Sequence, residues 1–170
     1  QEEYDLIIAN GRVIDGTGNP FVYADVAVHG GVIAKIGSLE GATAKRTIDA
    51  TGLFITPGFI DMHSHSELIM LSEPKHEAKV RQGVTTEVIG MDGLSYAPTS
   101  SANLELLLVY LAAVNGTPPP DVRWGSVKEF LDLFDDRASC NVAYFVPHAA
   151  IRVEAMGWED RLLTATESSR

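Results

Sequence analysis

Leu53-Phe-Ile-Thr-Pro-Gly-Phe-Ile-Asp-Met-His-Ser-His65 is the stretch on which the fold turns. Its apolar run is too short for a membrane span and is interrupted by Pro57-Gly58, which suits a strand buried in a parallel sheet. It closes on two imidazoles two residues apart, and on an extended chain such residues project from one face. The same period adds Asp61 to His63 and His65, so a carboxylate sits one step below the rings, where it can orient them. Three polar groups on one face of an apolar strand are costly unless they have a task. The reading is a metal site at a strand tip, with His63 and His65 as ligands and Asp61 behind them. Two histidines satisfied by core or surface partners are the plain alternative.

Working outward from this stretch, residues 5–9, 25–29, 32–36 and 47–49 are short β-prone segments. Asn10-Gly11, Asp15-Gly-Thr-Gly18 and Gly30-Gly31 separate them with turn chemistry, so residues 1–52 read as a small β module. From Leu53 the pattern changes to strands alternating with helical segments, the signature of βαβ units around a parallel sheet. The expected elements are a helix over 74–82, a strand over 84–89, an apolar helical stretch over 104–114, a helix over 126–134 and a strand over 141–146. Ser126 and Glu129 have the spacing of a capping box, Trp124 is placed to act as a lid or staple, and a last helix is expected to begin near Gly157-Trp158. Residues 53–170 are thus assigned three βα units.

Composition narrows the class. A hydrophobic content of 45% in 170 residues supports a globular core. Thirteen basic against twenty-three acidic residues give a net charge of −10 with no basic run, which argues against nucleic acid and anionic membranes and favours a small-molecule partner. The single cysteine, Cys140, rules out an intrachain disulfide and reads as a small buried hydrophobe. Gln1 in place of an initiator methionine fits removal of a leader on export to the periplasm or beyond, with a trimmed cytoplasmic chain as the alternative.

Thr56-Pro-Gly-Phe-Ile-Asp-Met-His-Ser-His65 resembles the first barrel strand of the amidohydrolase superfamily, and Gln82-Gly-Val-Thr-Thr-Glu-Val-Ile-Gly90 its second. Gly90-Met-Asp-Gly-Leu-Ser-Tyr-Ala-Pro98, Pro147-His-Ala-Ala-Ile-Arg152 and Met156-Gly-Trp-Glu-Asp-Arg161 are similar to the N-acyl-D-amino-acid deacylase (D-aminoacylase) branch. The resemblance implies an α/β fold: the N-terminal part of a metal-dependent (β/α)8 TIM barrel, preceded by a small β-sandwich module. It implies a divalent metal, zinc first, as one or two ions held by His63, His65 and the residue at Asp92. In the family that last position is a cysteine able to bridge two metals. An aspartate is a harder ligand and widens the choice toward manganese. An ordinary turn aspartate before Gly93 is the alternative.

His148 shares parity with Val142, Tyr144 and Val146 and is a candidate to line the substrate pocket; loop packing is its alternative. Arg152 is a candidate fork for a substrate carboxylate, against a structural ion pair with Glu154 or Asp160. Glu67 reads as a solvated loop acid, His76 as a helix-surface residue and His29 as part of the β module, all without chemistry. A closed (β/α)8 barrel takes about 250 residues, so three units cannot close alone, and the general base is expected outside this chain. The remainder of the same polypeptide, as a separate or cleaved chain, is the expected partner; Arg170 suits a trypsin-like cut. The implied reaction is hydrolysis of the amide bond of an N-acyl-D-amino acid. A cyclic amide hydrolase, a dipeptidase or a deaminase of the same superfamily, and a non-catalytic barrel-fragment subunit, are the rivals.

Overall fold

Alternation and turn chemistry build the first sheet. In the computed structural model, which describes residues 3–169, β1 (Tyr4–Val13), β2 (Val22–His29) and β3 (Val32–Gly37) pair antiparallel in turn. β4 (Ala44–Asp49) and the short β5 (Phe54–Ile55) both run parallel to β1, the first along Tyr4 to Ala9 and the second beside Arg12 and Val13. Gly30 and Gly31 join β2 to β3 with φ of 59° and 79°, the double positive backbone that matches a two-residue turn to strand twist. At Asn10 β1 bulges, and the side chains across it take up the slack: the Asn10 N–H donates to Asp25 Oδ1 at 2.8 Å and its amide to Asp49 Oδ1 at 3.1 Å. The core of this sheet is small, centred on Ile7, Ala27 and Leu39, while β3 leaves Val32, Ile33 and Ile36 exposed.

The chain divides into two compact units between Pro57 and Gly58. The change of sequence pattern comes earlier, at Leu53, because Phe54 and Ile55 are spent on β1. The run from Leu53 to His65 is therefore two short strands rather than one. Pro57, which has no N–H to give a ladder, stands between β5 and β6 (Phe59–Asp61).

In the second unit β6, β7 (Val84–Ile89) and β8 (Asn141–Tyr144) form an all-parallel sheet in that order, so this mixed α/β unit has the expected βαβ connectivity. Its helices are α1 (Glu67–Ser72), α2 (Glu77–Val80), α3 (Ser101–Asn115), α4 (Val127–Asp132) and α5 (His148–Met156). The helix expected over 74–82 shrinks to α2, because His76 takes a left-handed φ of 41° and breaks it off. Gly157 ends a helix instead of starting one: its N–H closes α5 on the Val153 carbonyl at 2.9 Å. The capping box is formed, with the Glu129 N–H on Ser126 Oγ at 3.1 Å and the Ser126 N–H on Glu129 Oε2 at 2.8 Å.

Helices α3 and α4 bury Leu104, Leu107, Leu111 and Phe130 against Leu68, Met70, Ile89 and Tyr96. Trp124 is no lid: it packs on Phe130, the fourth residue of α4, as a staple would, and belongs to this core, its ring 4.9 Å from Phe130 and 5.9 Å from Tyr96 between centroids. From β8, the Tyr144 hydroxyl donates to the Ala97 carbonyl at 2.9 Å and accepts the Ala97 N–H at 3.1 Å, pinning the segment that follows β7.

Candidate metal centre

Two adjacent parallel strands deliver the site from their C-terminal ends, where α/β proteins place open active sites. Just past β6 come His63, Ser64 and His65; just past β7, Gly90 opens a turn in which Asp92 sits at φ 57°. The two imidazole Nε2 atoms converge on Asp92 Oδ2, at 3.1 Å from His63 and 3.3 Å from His65. All three ligand atoms lie within 4.8 Å of one another. Donors around a tetrahedral zinc at 2.0–2.1 Å stand about 3.3 Å apart, which the two imidazole–carboxylate distances match, so these side chains are a candidate donor set for an ion. The buried Nδ1 of His65 has no hydrogen-bond partner among the described residues, so no second group fixes the orientation of that ring. Two nitrogens and a carboxylate suit zinc or manganese.

Asp61 does not orient the rings as the period of two implied, because the strand ends at Asp61 and the alternation ends with it. Its Oδ1 accepts the backbone N–H of His63 at 3.1 Å, and its other oxygen pairs with Lys79. That pairing, with the His63 amide, holds the Asp61 carboxyl below the usual range.

Glu67 is not a solvated acid. It is fully buried at the start of α1, and burial pushes its carboxyl above the usual range despite the Gly90 N–H that it accepts at 3.0 Å. That bond ties the histidine segment to the turn bearing Asp92. The turn is tight: a Cβ on Gly90, whose φ is 80°, would lie 2.0 Å from the Phe145 carbonyl oxygen.

His76 is not on a helix surface either. It is 6% exposed and its Nε2 meets Glu87 Oε1 at 2.9 Å. Glu87, wholly buried on β7, also accepts from Ser64 Oγ at 2.7 Å and lies 3.5 Å from the Lys79 ammonium. Burial alone would raise its carboxyl, but Ser64, His76 and Lys79 together hold it below the usual range. A carboxylate inside the apolar strand Val84-Thr-Thr-Glu-Val-Ile89 was the sequence signal for this cluster.

His148 opens α5 beside the Asp92 turn, with its Cβ 3.4 Å from where a Cβ on Gly93 would be. It shares a surface concavity of about 290 Å³ with Pro98, Ile151 and Arg152. Arg152 makes neither expected ion pair; its Nη2 donates to the carbonyls of Glu159 at 3.0 Å and Arg161 at 2.9 Å, holding the segment after α5. Glu154 is turned instead to α3, accepting from the Ser100 N–H at 2.6 Å and Asn103 Nδ2 at 2.8 Å.

The Amidohydrolase family pattern matches residues 46–168. The chain belongs to the amidohydrolase family. Among relatives of this amidohydrolase chain, N-acyl-D-glutamate deacylase of Alcaligenes xylosoxydans xylosoxydans is 39% identical over 157 residues, covering 92% of this chain and 31% of that protein. D-aminoacylase of the same organism is 36% identical over 167 residues, covering 98% and 34%. The crystal structure of N-acyl-D-glutamate deacylase from Bordetella bronchiseptica, complexed with zinc and a phosphonate inhibitor that mimics the tetrahedral intermediate, superposes with a TM-score of 0.82 at 35% identity. It covers 99% of this amidohydrolase chain and 34% of that one. The chain thus spans about a third of the length of the relatives it matches.

Proposed function

We propose that this chain is the N-terminal third of a metal-dependent hydrolase of the amide bond of N-acyl-D-amino acids. In this reading β6, β7 and β8 are the first three staves of a (β/α)8 barrel, and the sheet of β1 to β5 is part of a small β-sandwich. The remaining staves, with the general base and most substrate contacts, come from polypeptide outside these residues, joined to it or cleaved from it. The supporting observation is the meeting of His63, His65 and Asp92 at the ends of neighbouring parallel strands, in a chain similar along almost its whole length to deacylases.

His63 and His65 would hold a divalent ion through Nε2, with Asp92 as the third ligand or as a bridge between two ions. When bound, such an ion supplies Lewis-acid polarisation of an amide carbonyl and acidifies a water. The chain's own residues set the stage. Glu67 ties the Asp92 turn to the histidine segment, and Asp61 with Lys79 fixes the His63 backbone. His148 opens α5 beside the Asp92 turn and, with Arg152, is the substrate-contact candidate of this chain.

The test is release of acetate by the assembled protein from N-acetyl-D-glutamate, N-acetyl-D-aspartate and N-acetyl-D-methionine, each against its L form and against hydantoins. Selective release from a D substrate, lost together with bound metal on His63→Ala, is expected. Equal turnover of L forms, or turnover of hydantoins alone, would move the reading to another amidohydrolase. Intact-mass analysis under denaturing conditions tests the remaining polypeptide.

A further inference from the structure

The His63-Ser64-His65 segment lies beyond the end of β6, so few sheet hydrogen bonds hold it. The Ser64 N–H reaches the Val88 carbonyl at 3.2 Å, and the Ser64 hydroxyl donates to Glu87 Oε2 at 2.7 Å. Ser66 Oγ, 2.7 Å from Ser64 Oγ, has its own proton to give, which leaves the Ser64 proton for the carboxylate. The residue between the two imidazoles is thereby anchored to the buried acid of the next strand.

That acid is expensive. Glu87 is completely buried on a strand whose next two residues, Val88 and Ile89, are buried hydrophobes. A buried ion pair is often no better for stability than an apolar residue of similar size. Here the carboxylate is nonetheless fully used, by His76 at 2.9 Å and Lys79 at 3.5 Å on one oxygen and by Ser64 on the other. Lys79 also pairs with Asp61, whose other oxygen accepts the His63 N–H at 3.1 Å. Both routes out of the cluster therefore end on the segment that carries the imidazoles, one at the Ser64 hydroxyl and one at the His63 N–H. They do not end on the imidazoles, so the cluster acts on where the rings are carried and not on their nitrogens.

We propose that Glu87 is a positioning residue for metal ligation: acting through Ser64, it holds His63 and His65 at the spacing that lets both Nε2 atoms meet Asp92 around one divalent ion. The proposal rests on the metal reading of His63 and His65. Groups that support ligands from behind commonly account for about 10–100-fold in metal affinity. Ser64→Ala removes the hydroxyl tether and leaves the Glu87 pairs with His76 and Lys79 in place.

The experiment titrates the assembled protein, stripped of metal, with Zn²⁺ and with Co²⁺, reading affinity and the visible spectrum of bound Co²⁺, with thermal unfolding in parallel. Ser64→Ala is expected to weaken both ions about tenfold or more and to alter the Co²⁺ spectrum. Glu87→Gln is expected to lose less, since an amide oxygen still accepts from Ser64 Oγ. The double variant should be no weaker than Ser64→Ala alone, as for residues that act as a unit. Wild-type affinity and spectrum in Ser64→Ala, with only a shifted unfolding midpoint, would make the cluster merely structural and overturn the proposal. Losses that simply add in the double variant would overturn the route through Ser64. His63→Ala tells the two readings apart: affinity unchanged there overturns the metal reading and this proposal with it, whereas affinity lost there but kept in Ser64→Ala overturns the proposal alone.

Discussion

Replacing Gly90 by alanine tests whether the turn bearing Asp92 is as tightly built as its geometry implies. The added Cβ would sit 2.0 Å from the Phe145 carbonyl oxygen, and Phe145 is held on its other side, where its N–H, in the preceding peptide, is bonded to the Ile89 carbonyl at 2.9 Å. A left-handed backbone, φ 80° here, costs an alanine about 1–2 kcal/mol. Moving Gly90 away from Phe145 stretches the 3.0 Å bond from its N–H to Glu67 Oε1. The buried carboxyl would thereby lose the Gly90 donor, for about 1–3 kcal/mol more. The sum is about 2–5 kcal/mol before any residual overlap. Urea unfolding followed by far-ultraviolet circular dichroism compares Gly90→Ala with the parent protein, and a Zn²⁺ titration reports on the displaced Asp92. If Gly90→Ala costs no more than the about 1–2 kcal/mol of the left-handed backbone alone and keeps its zinc affinity, the tight-turn reasoning fails.

Other outcomes follow from the packing and the charges. Phe130→Ala empties the space between Trp124, Phe134 and Tyr144 and should cost about 3–5 kcal/mol in the same unfolding assay; a loss below about 1 kcal/mol would show that the core collapses to fill it. Ser126→Ala removes the acceptor for the Glu129 N–H and should cost about 1 kcal/mol, an effect absent if the box is idle. For Glu154, burial acts to raise the carboxyl, but the Ser100, Asn103 and Thr99 donors outweigh it and hold it below the usual range. Its stabilising contribution is therefore full above the ordinary carboxylate range and is lost as pH falls through the lowered folded value. Glu154→Gln should lower the melting temperature at neutral pH and flatten its fall on the acid side; an unchanged acid slope would refute this.

Much of the second unit was legible because its signals are local. The β-rich run between Gly83 and Gly90 is a strand to the residue, the Ser126/Glu129 spacing forms its box, and the side chains of His63, His65 and Asp92 lie within 4.8 Å of one another. Local periodicity misled where an element stopped. Carrying the period of two from Asp61 to His65 gave Asp61 a task at the rings, whereas the strand ends there and Asp61 serves a backbone amide and Lys79. Glu67 and His76 were opaque for a different reason, and Glu87 showed only as a carboxylate inside a strand. Their burial depends on partners from other elements, Gly90 for Glu67 and each other across β7 and the start of α2 for His76 and Glu87, and the periodicity of a single element does not report such pairs. Helix α5 was missed because Gly157-Trp158 looked like a beginning, when the helix had already run from His148.

The aspartate at position 92 carries one more consequence. A thiolate in that place would be open to peroxide, climbing from sulfenic to sulfonic acid and losing its grip on a cation at each rung. A carboxylate has no such ladder, and the chain's single sulfhydryl, Cys140, is buried, with its thiol pushed up by that burial and donating to the Val84 carbonyl at 3.5 Å. If His63, His65 and Asp92 hold the ion as proposed, their affinity should survive hydrogen peroxide treatment that disables a cysteine-bridged centre, a difference that a metal titration before and after exposure would read directly.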